Sequence, residues 1–338
     1  MQTKRHFIPL VIFMVALLLN GRYVTAQENV STVHIKDLHV RDPYILADQQ
    51  DRSYILYKSA PVKDKQGADA SGVVAYRSKD LEYWEGPYVV YATPADNWIK
   101  GAVWAPEVHP YRGKYYLFAT LNSDIEWKAQ REDFPKYTFR GTQVFCADHP
   151  MGPFLPFDKK LPHTPMDRMA LDGTLWVEDE TPYMVYCHEW VQIEDGTMEV
   201  VQLAPDLSKT VGSSLTLFHA SSAPWSTGNR RTDGTLTYVT DGCFLYRTKT
   251  GKLLMMWSSF KEGSYAIGIA ESTTGKLTGP WKQQEHLLFD QNGGHGMLFT
   301  TFDGRLMLTF HQPNSPGGKE RAQIYEVVDK GNTLVLKD

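Results

Sequence analysis

Val40-Arg41-Asp42-Pro43-Tyr44-Ile45 reads as a turn that opens straight into a strand. Pro43 fixes its own φ and biases Asp42 towards an extended backbone, and the residues that follow are aromatic and β-branched. Four more openings of this kind occur: Trp104-Ala105-Pro106-Glu107-Val108, Leu171-Asp172-Gly173-Thr174-Leu175, Thr240-Asp241-Gly242-Cys243-Phe244 and Gly294-His295-Gly296-Met297-Leu298. Their spacing of roughly 54–69 residues is the scale of one four-stranded sheet with its loops, near the ~40–50-residue propeller repeats.

Working outward from each opening, a second apolar run follows after a hairpin-sized offset, at 53–57, 114–118, 182–186, 252–257 and 305–310. A third follows at 72–76, 143–146, 198–203, 265–270 and 323–327. Fourth strands are weaker; the Gly86-Pro87, Gly152-Pro153 and Gly279-Pro280 turns are expected to end a blade and start its outer strand. No long segment has a helical period, and 124–137 is the best place for a short helix or an extended loop. The pattern predicts an all-β chain folded as a five-bladed β-propeller, whose innermost strands line one channel. A pair of β-sandwiches is the alternative architecture, since sandwiches also space their strands evenly.

Composition bounds the function. Lys and Arg number 35 against 39 Asp and Glu, without clustering, which excludes the basic stripe of a nucleic-acid-binding protein. The N-terminus has a basic segment at Lys4, Arg5 and His6, an apolar run over 7–19 and small residues before Gln27. That is the pattern of a signal peptide over residues 1–26, removed to leave a single propeller domain over 27–338, periplasmic or secreted, with no membrane span after cleavage. Cys146, Cys187 and Cys243 lie in strand-like apolar contexts and read as small buried hydrophobes.

If the five sheets pack radially, three carboxylates, a Trp and a His meet at one mouth. Asp42, held rigidly beside Arg41, should stay ionised and suits a general base. Asp172 and Asp241 each precede a Gly, and each alone would read as an ordinary turn Asp. Read by spacing, they occupy equivalent places in successive units, which joins them to Asp42. Acetal hydrolysis needs a carboxylic acid to protonate the leaving oxygen and a carboxylate to activate water. A third carboxylate raises the acid's pKa by like-charge repulsion. Trp104 could stack on a sugar face or simply join the core. Glu107 reads as a supporting residue behind it. Glu189, in Cys187-His188-Glu189-Trp190, is a rival for the acid role or a salt-bridged loop residue that meets substrate. His295, between glycines, could face a metal or an ordered water. Arg321 could contact a substrate hydroxyl.

At Arg41-Asp42-Pro43, Trp104-Ala105-Pro106-Glu107, Leu171-Asp172-Gly173-Thr174 and Gly294-His295-Gly296 the chain resembles glycoside hydrolase family 43, from about Val33 to the C-terminus. The resemblance implies an inverting enzyme of the five-bladed propeller type acting on arabinose- and xylose-containing glycans. It implies Asp42 as base, Asp172 as the carboxylate that orients the acid and tunes it, and Arg321 as a substrate ligand. It also implies that His295 faces a channel position where relatives often hold a single calcium or sodium ion, with no cofactor otherwise required. One departure stands out: where the family carries a Glu-Gly-Pro acid, this chain has Asp241-Gly242-Cys243. Either Asp241 serves as the acid with a compensating backbone, which is the favoured reading, or Glu189 supplies the proton, or the protein is a weak or binding-only relative. The expected activity is exo-release of α-L-arabinofuranose from arabinan, arabinoxylan or arabinogalactan. A β-xylosidase or other exo-acting relative, or a catalytically weak sugar-binding propeller, is the alternative.

Overall fold

The computed structural model describes residues 30–337, apart from 96, 133 and 159. The signal-peptide segment lies outside the described residues. Five antiparallel sheets follow one another along the chain. Their first strands are Tyr44–Asp48, Val103–Tyr111, Ala170–Glu178, Asp241–Arg247 and Gly294–Thr300, and each contacts the next in a closed ring. This is the expected five-bladed β-propeller.

The strands form where the apolar runs predicted them, because each sheet is sandwiched between two others and buries both faces. In Ser53–Lys63 the first five residues are all buried, and in Leu253–Lys261 the first seven are. Leu171, Val185 and Met198 of blade three meet Leu245, Met255 and Trp257 of blade four in one such wedge. Met297 and Phe299 of blade five join Leu56 and Val74 of blade one in another. Trp84 and Trp257 are fully buried. The Gly-Pro turns precede the outer strands Leu155–Pro156 and Trp281–Gln283 as expected, whereas Gly86-Pro87 lies within the fourth strand Tyr83–Ala92.

Three features add detail to the expectation. Blade one has a fifth, outermost strand, Ser31–His34, paired with Tyr83–Ala92. Of the two forms expected at 124–137 the loop is found, after a strand end at Glu126, and the short α-helix lies elsewhere, at Trp190–Ile193. A small hairpin, Asn229–Arg230 with Leu236–Thr237, stands between blades three and four. Among the described residues no helix is long and apolar enough to cross a membrane.

Among the described residues the ring closes between blade five and blade one without a shared strand. A single bridge joins His39 to Arg321, and the Val40 N–H donates to the Glu320 carbonyl. Buried Glu320 accepts from Arg41 at 3.0 Å and lies 2.9 Å from His39 Nε2. These contacts seat the chain that leads into Asp42.

Candidate active site

Every inner strand opens on a residue in the left-handed conformation: Asp42 (φ 49°, not the extended backbone expected before Pro43), Ala105 (42°), Asp172 (55°), Gly242 (52°) and His295 (54°). In blades two to five the pairing register breaks there, between Trp104 and Glu107, Leu171 and Thr174, Asp241 and Phe244, and Gly294 and Met297. An extra residue is thus bulged out at each mouth.

The bulge takes the left-handed residue's N–H out of its own ladder, and a buried N–H needs a partner. The neighbouring blade supplies one. Asp172 donates to Thr120 Oγ1 at 2.8 Å, His295 to Ser258 Oγ at 2.8 Å, and Asp42 to His311 Nδ1 at 3.3 Å. Thr120, Ser258 and His311 each face, in their own blade, the last paired residue before the bulge. In blade three that place belongs to Cys187, opposite Leu171. A thiol is a weak acceptor, and the Gly242 N–H turns instead to Asp172 Oδ2 at 3.1 Å.

The sequence reading put Asp172 and Asp241 at equivalent positions; they are one residue out of step. Asp172 is the bulged residue, whereas Asp241 is still paired, with Ser258, and Gly242 takes the left-handed place. The Asp-Gly dipeptide is the same in both openings, but the break in pairing falls on its first residue in one and its second in the other.

Asp42 lies among basic side chains. Its Oδ1 is 3.2 Å from His295 Nδ1 and 3.1 Å from His311 Nδ1, and its Oδ2 is 3.8 Å from Arg41 Nε. Burial alone would raise its pKa, but His295, His311 and Arg41 together hold it well below the usual carboxylate range. His311 is fixed from behind by Asn314 Oδ1, 3.1 Å from its Nε2, and the same oxygen accepts from Arg41 at 2.9 Å.

The other carboxyls shift the opposite way. Asp172 is raised well above its ordinary value by burial first, then by the charges of Asp241 and Asp42. Its Oδ2 is 3.7 Å from the same His295 nitrogen that Asp42 approaches, so one imidazole stands between the two. Asp241 accepts a hydrogen bond from Tyr265 at 3.0 Å. Burial raises its pKa against the opposing pull of His295 and Tyr265. Glu189 directly follows the second strand of blade three and accepts from Arg140 Nη1 at 2.7 Å. Burial outweighs Arg140 and, helped by Asp241, pushes Glu189 up to about 7. Arg140 also lies over the Trp104 ring, 4.8 Å from its centroid, while 38% of Trp104 stays exposed.

Glu107 sits deeper and pairs with His109 at 2.8 Å. Arg321 is engaged at the seam, where its guanidinium donates to the carbonyls of Lys36 and Glu320. Among the described residues no three His, Cys, Asp or Glu side chains converge as a metal-holding group. A channel ion would therefore depend on His295 with backbone or water oxygens, and no step below runs through one. Arg140, Tyr265, His311 and Asn314 went unread in the sequence. The signal for His311 was present: a polar residue ending the apolar run Leu306–Gln312.

One carboxylate held ionised, facing others that burial shifts towards the neutral form, beside an exposed indole, is a constellation for acid–base chemistry on a sugar. Comparison with solved structures agrees in fold. An endo-arabinase from Bacteroides thetaiotaomicron VPI-5482 is 36% identical, with a TM-score of 0.77, over 89% of this chain and 99% of that one. An endo-1,4-beta-xylanase from the same organism is 20% identical, with a TM-score of 0.69, over 91% and 97%. An exo-1,5-alpha-L-arabinanase from a bovine ruminal metagenomic library is 17% identical, with a TM-score of 0.63, over 89% and 97%. A comparison with curated proteins found no match. The family model described as glycosyl hydrolases family 43 matches residues 34–327, nearly the whole described chain, and with the five blades in order and the Asp42, Asp172 and His295 openings at one mouth, the chain belongs to that family.

Proposed function

We propose that the protein is an inverting exo-glycosidase that releases α-L-arabinofuranose from plant cell-wall glycans, arabinan first. The observation that carries the chemistry is the split in charge state: Asp42 is held ionised by His295, His311 and Arg41, while Asp172, Asp241 and Glu189 are all driven towards the neutral form. In this reading Asp42 takes a proton from water as the water attacks the anomeric carbon. A neutral carboxyl across the mouth protonates the departing oxygen. Asp172, sharing His295 with Asp42 and holding the Gly242 N–H, positions the blade-four opening. Trp104 offers a face to the sugar ring.

Likeness to the 36%-identical endo-arabinase supports arabinan as the polymer. The exo reading draws on the rim. The 127–137 loop, the Trp190–Ile193 helix and the 229–237 hairpin are tied together by Arg131, which pairs with Glu194, and by Arg231, which lies over Phe134 and Trp190. In the exo reading these walls from blades two to four would close off one side of the mouth. Internal cleavage is the second reading, favoured by the relative's printed activity. Proton NMR of the purified protein with branched and debranched arabinan tests both. Early release of monomeric arabinose with inverted anomeric configuration supports the proposal. Oligosaccharides as first products favour internal cleavage, and retained configuration removes the acid–base pair.

The N-terminal segment is taken as an export signal, which would put the enzyme where polysaccharide is met. Mass spectrometry of the protein recovered from its host, expected to begin at Gln27, checks it.

A further inference from the structure

We propose that Glu189, rather than Asp241, delivers the proton to the departing sugar oxygen. The proposal rests on the glycosidase reading above and assigns its missing partner.

The backbone brings Glu189 to the right place. The strand Thr181–His188 runs antiparallel to the inner strand of blade three, pairing Cys187 with Leu171 and His188 with Ala170. Glu189 therefore emerges at the same mouth as Asp172, and its N–H is pinned to the Met169 carbonyl at 2.9 Å. Its carboxyl is bound to Arg140, and Arg140 lies over the exposed indole of Trp104. A sugar stacked on Trp104 would meet this carboxyl beside it. Arg140 Nε is buried without a hydrogen-bond partner, so the guanidinium keeps an unused donor at this spot.

Asp241 belongs to the other side of the chemistry. It is bound by Tyr265, whose ring stacks on His311 at 5.7 Å, and His311 contacts Asp42. It is thus tied into the base's own network. An inverting pair needs about 6.5–9.5 Å between acid and base to admit the water. A carboxyl joined to Arg140 and Trp104 on blade two is free of the His295 and His311 contacts that gather round Asp42. Glu189 also has the extra methylene that Asp241 lacks. The charged groups acting on it are Arg140, which favours the carboxylate, and Asp241, which opposes it; with burial they leave it able to hold a proton near neutral pH.

The step balances. The Glu189 O–H bond breaks and its proton goes to the glycosidic oxygen as the bond to the anomeric carbon breaks. Water adds to that carbon and its proton passes to Asp42. Arg140 stabilises the Glu189 carboxylate left behind, and solvent restores both protonation states. Asp241 becomes a positioning residue, acting through Tyr265 and the base's histidines.

The test compares kcat/KM for the parent, Glu189→Gln and Asp241→Asn on an arabino-oligosaccharide and on 2,4-dinitrophenyl α-L-arabinofuranoside, whose leaving group needs no proton. Glu189→Gln is expected to lose about 10²–10⁴-fold on the oligosaccharide, under 10-fold on the aryl substrate, and the alkaline limb of its pH profile. Asp241→Asn is expected to lose similar factors on both substrates and to keep the limb. Glu189→Asp, which retains the charge beside Arg140, guards against misfolding and should show the same leaving-group dependence in weaker form. Should the leaving-group dependence and the lost limb follow Asp241→Asn instead, the proposal is overturned while the glycosidase reading stands. A folded parent that hydrolyses neither substrate overturns both.

Discussion

Gly242→Ala adds one methyl group where the structure has no room for it. Gly242 has φ +52°, a conformation that costs an L-residue about 1–2 kcal/mol. The added Cβ would lie 2.8 Å from His295 Cγ and 2.9 Å from His295 Cα, against an optimal carbon separation of about 3.5–4.0 Å. Overpacking of this kind costs about 1–3 kcal/mol, and removing a glycine from the unfolded chain returns about 0.4–1 kcal/mol. The net expectation is a loss of about 3 kcal/mol, read from urea unfolding followed by tryptophan fluorescence. His295 must give way by several tenths of an ångström, and with it the contact to Asp42, so kcat/KM should fall by about 10²-fold. Ala105 is the internal control. It holds the same place in blade two at φ 42°, already carries a Cβ and is buried, so left-handed backbone by itself is tolerated. A Gly242→Ala protein within about 0.5 kcal/mol of the parent and within a factor of two in rate would refute this account of the mouth, those margins being small beside the overpacking cost.

Asp42→Asn should fold, since Asn tolerates the left-handed region, and should lose about 10²–10⁴-fold in kcat/KM, checked by kinetics beside a thermal melt. Glu320 makes the ring's seam acid-sensitive. Burial raises its pKa, but hydrogen bonds from its own backbone, His39 and Arg41 hold it at about 2. A depressed folded value stabilises above the ordinary value of 4.5 and is lost as pH falls from there towards about 2. Allowing for solvent at the seam, the effect is on the order of 1–2 kcal/mol, and Glu320→Gln should flatten stability over that window. Chelation with EDTA should leave rate and melting temperature unchanged; a loss restored by calcium would place an ion in the channel.

The five blades were legible because turn residues and apolar runs repeat with the sheet's own geometry. Asp42, Trp104, Asp172 and His295 were legible because each opens a strand. The one-residue offset of Asp241 was not, since Asp-Gly looks alike whichever residue the bulge falls on, and only the pairing with Ser258 tells. Arg140, Tyr265 and His311 were hidden in second and third strands that read as core. Their work depends on packing between neighbouring blades, as Tyr265 on His311 illustrates. Arg41, read from the sequence as Asp42's neighbour, does approach its carboxylate.

Because each blade is made from consecutive strands, most of this chain can take shape locally as synthesis proceeds, N-terminal blades first. The seam is the exception. Arg41 and His39 meet Glu320, and Asp42 meets His311, across separations of 269–281 residues. Asp42 would thus be the first of the mouth residues to be translated and the last to be completed. A nascent or C-terminally truncated chain would expose Asp42 without its histidines, so that arrival of the fifth blade switches the enzyme on.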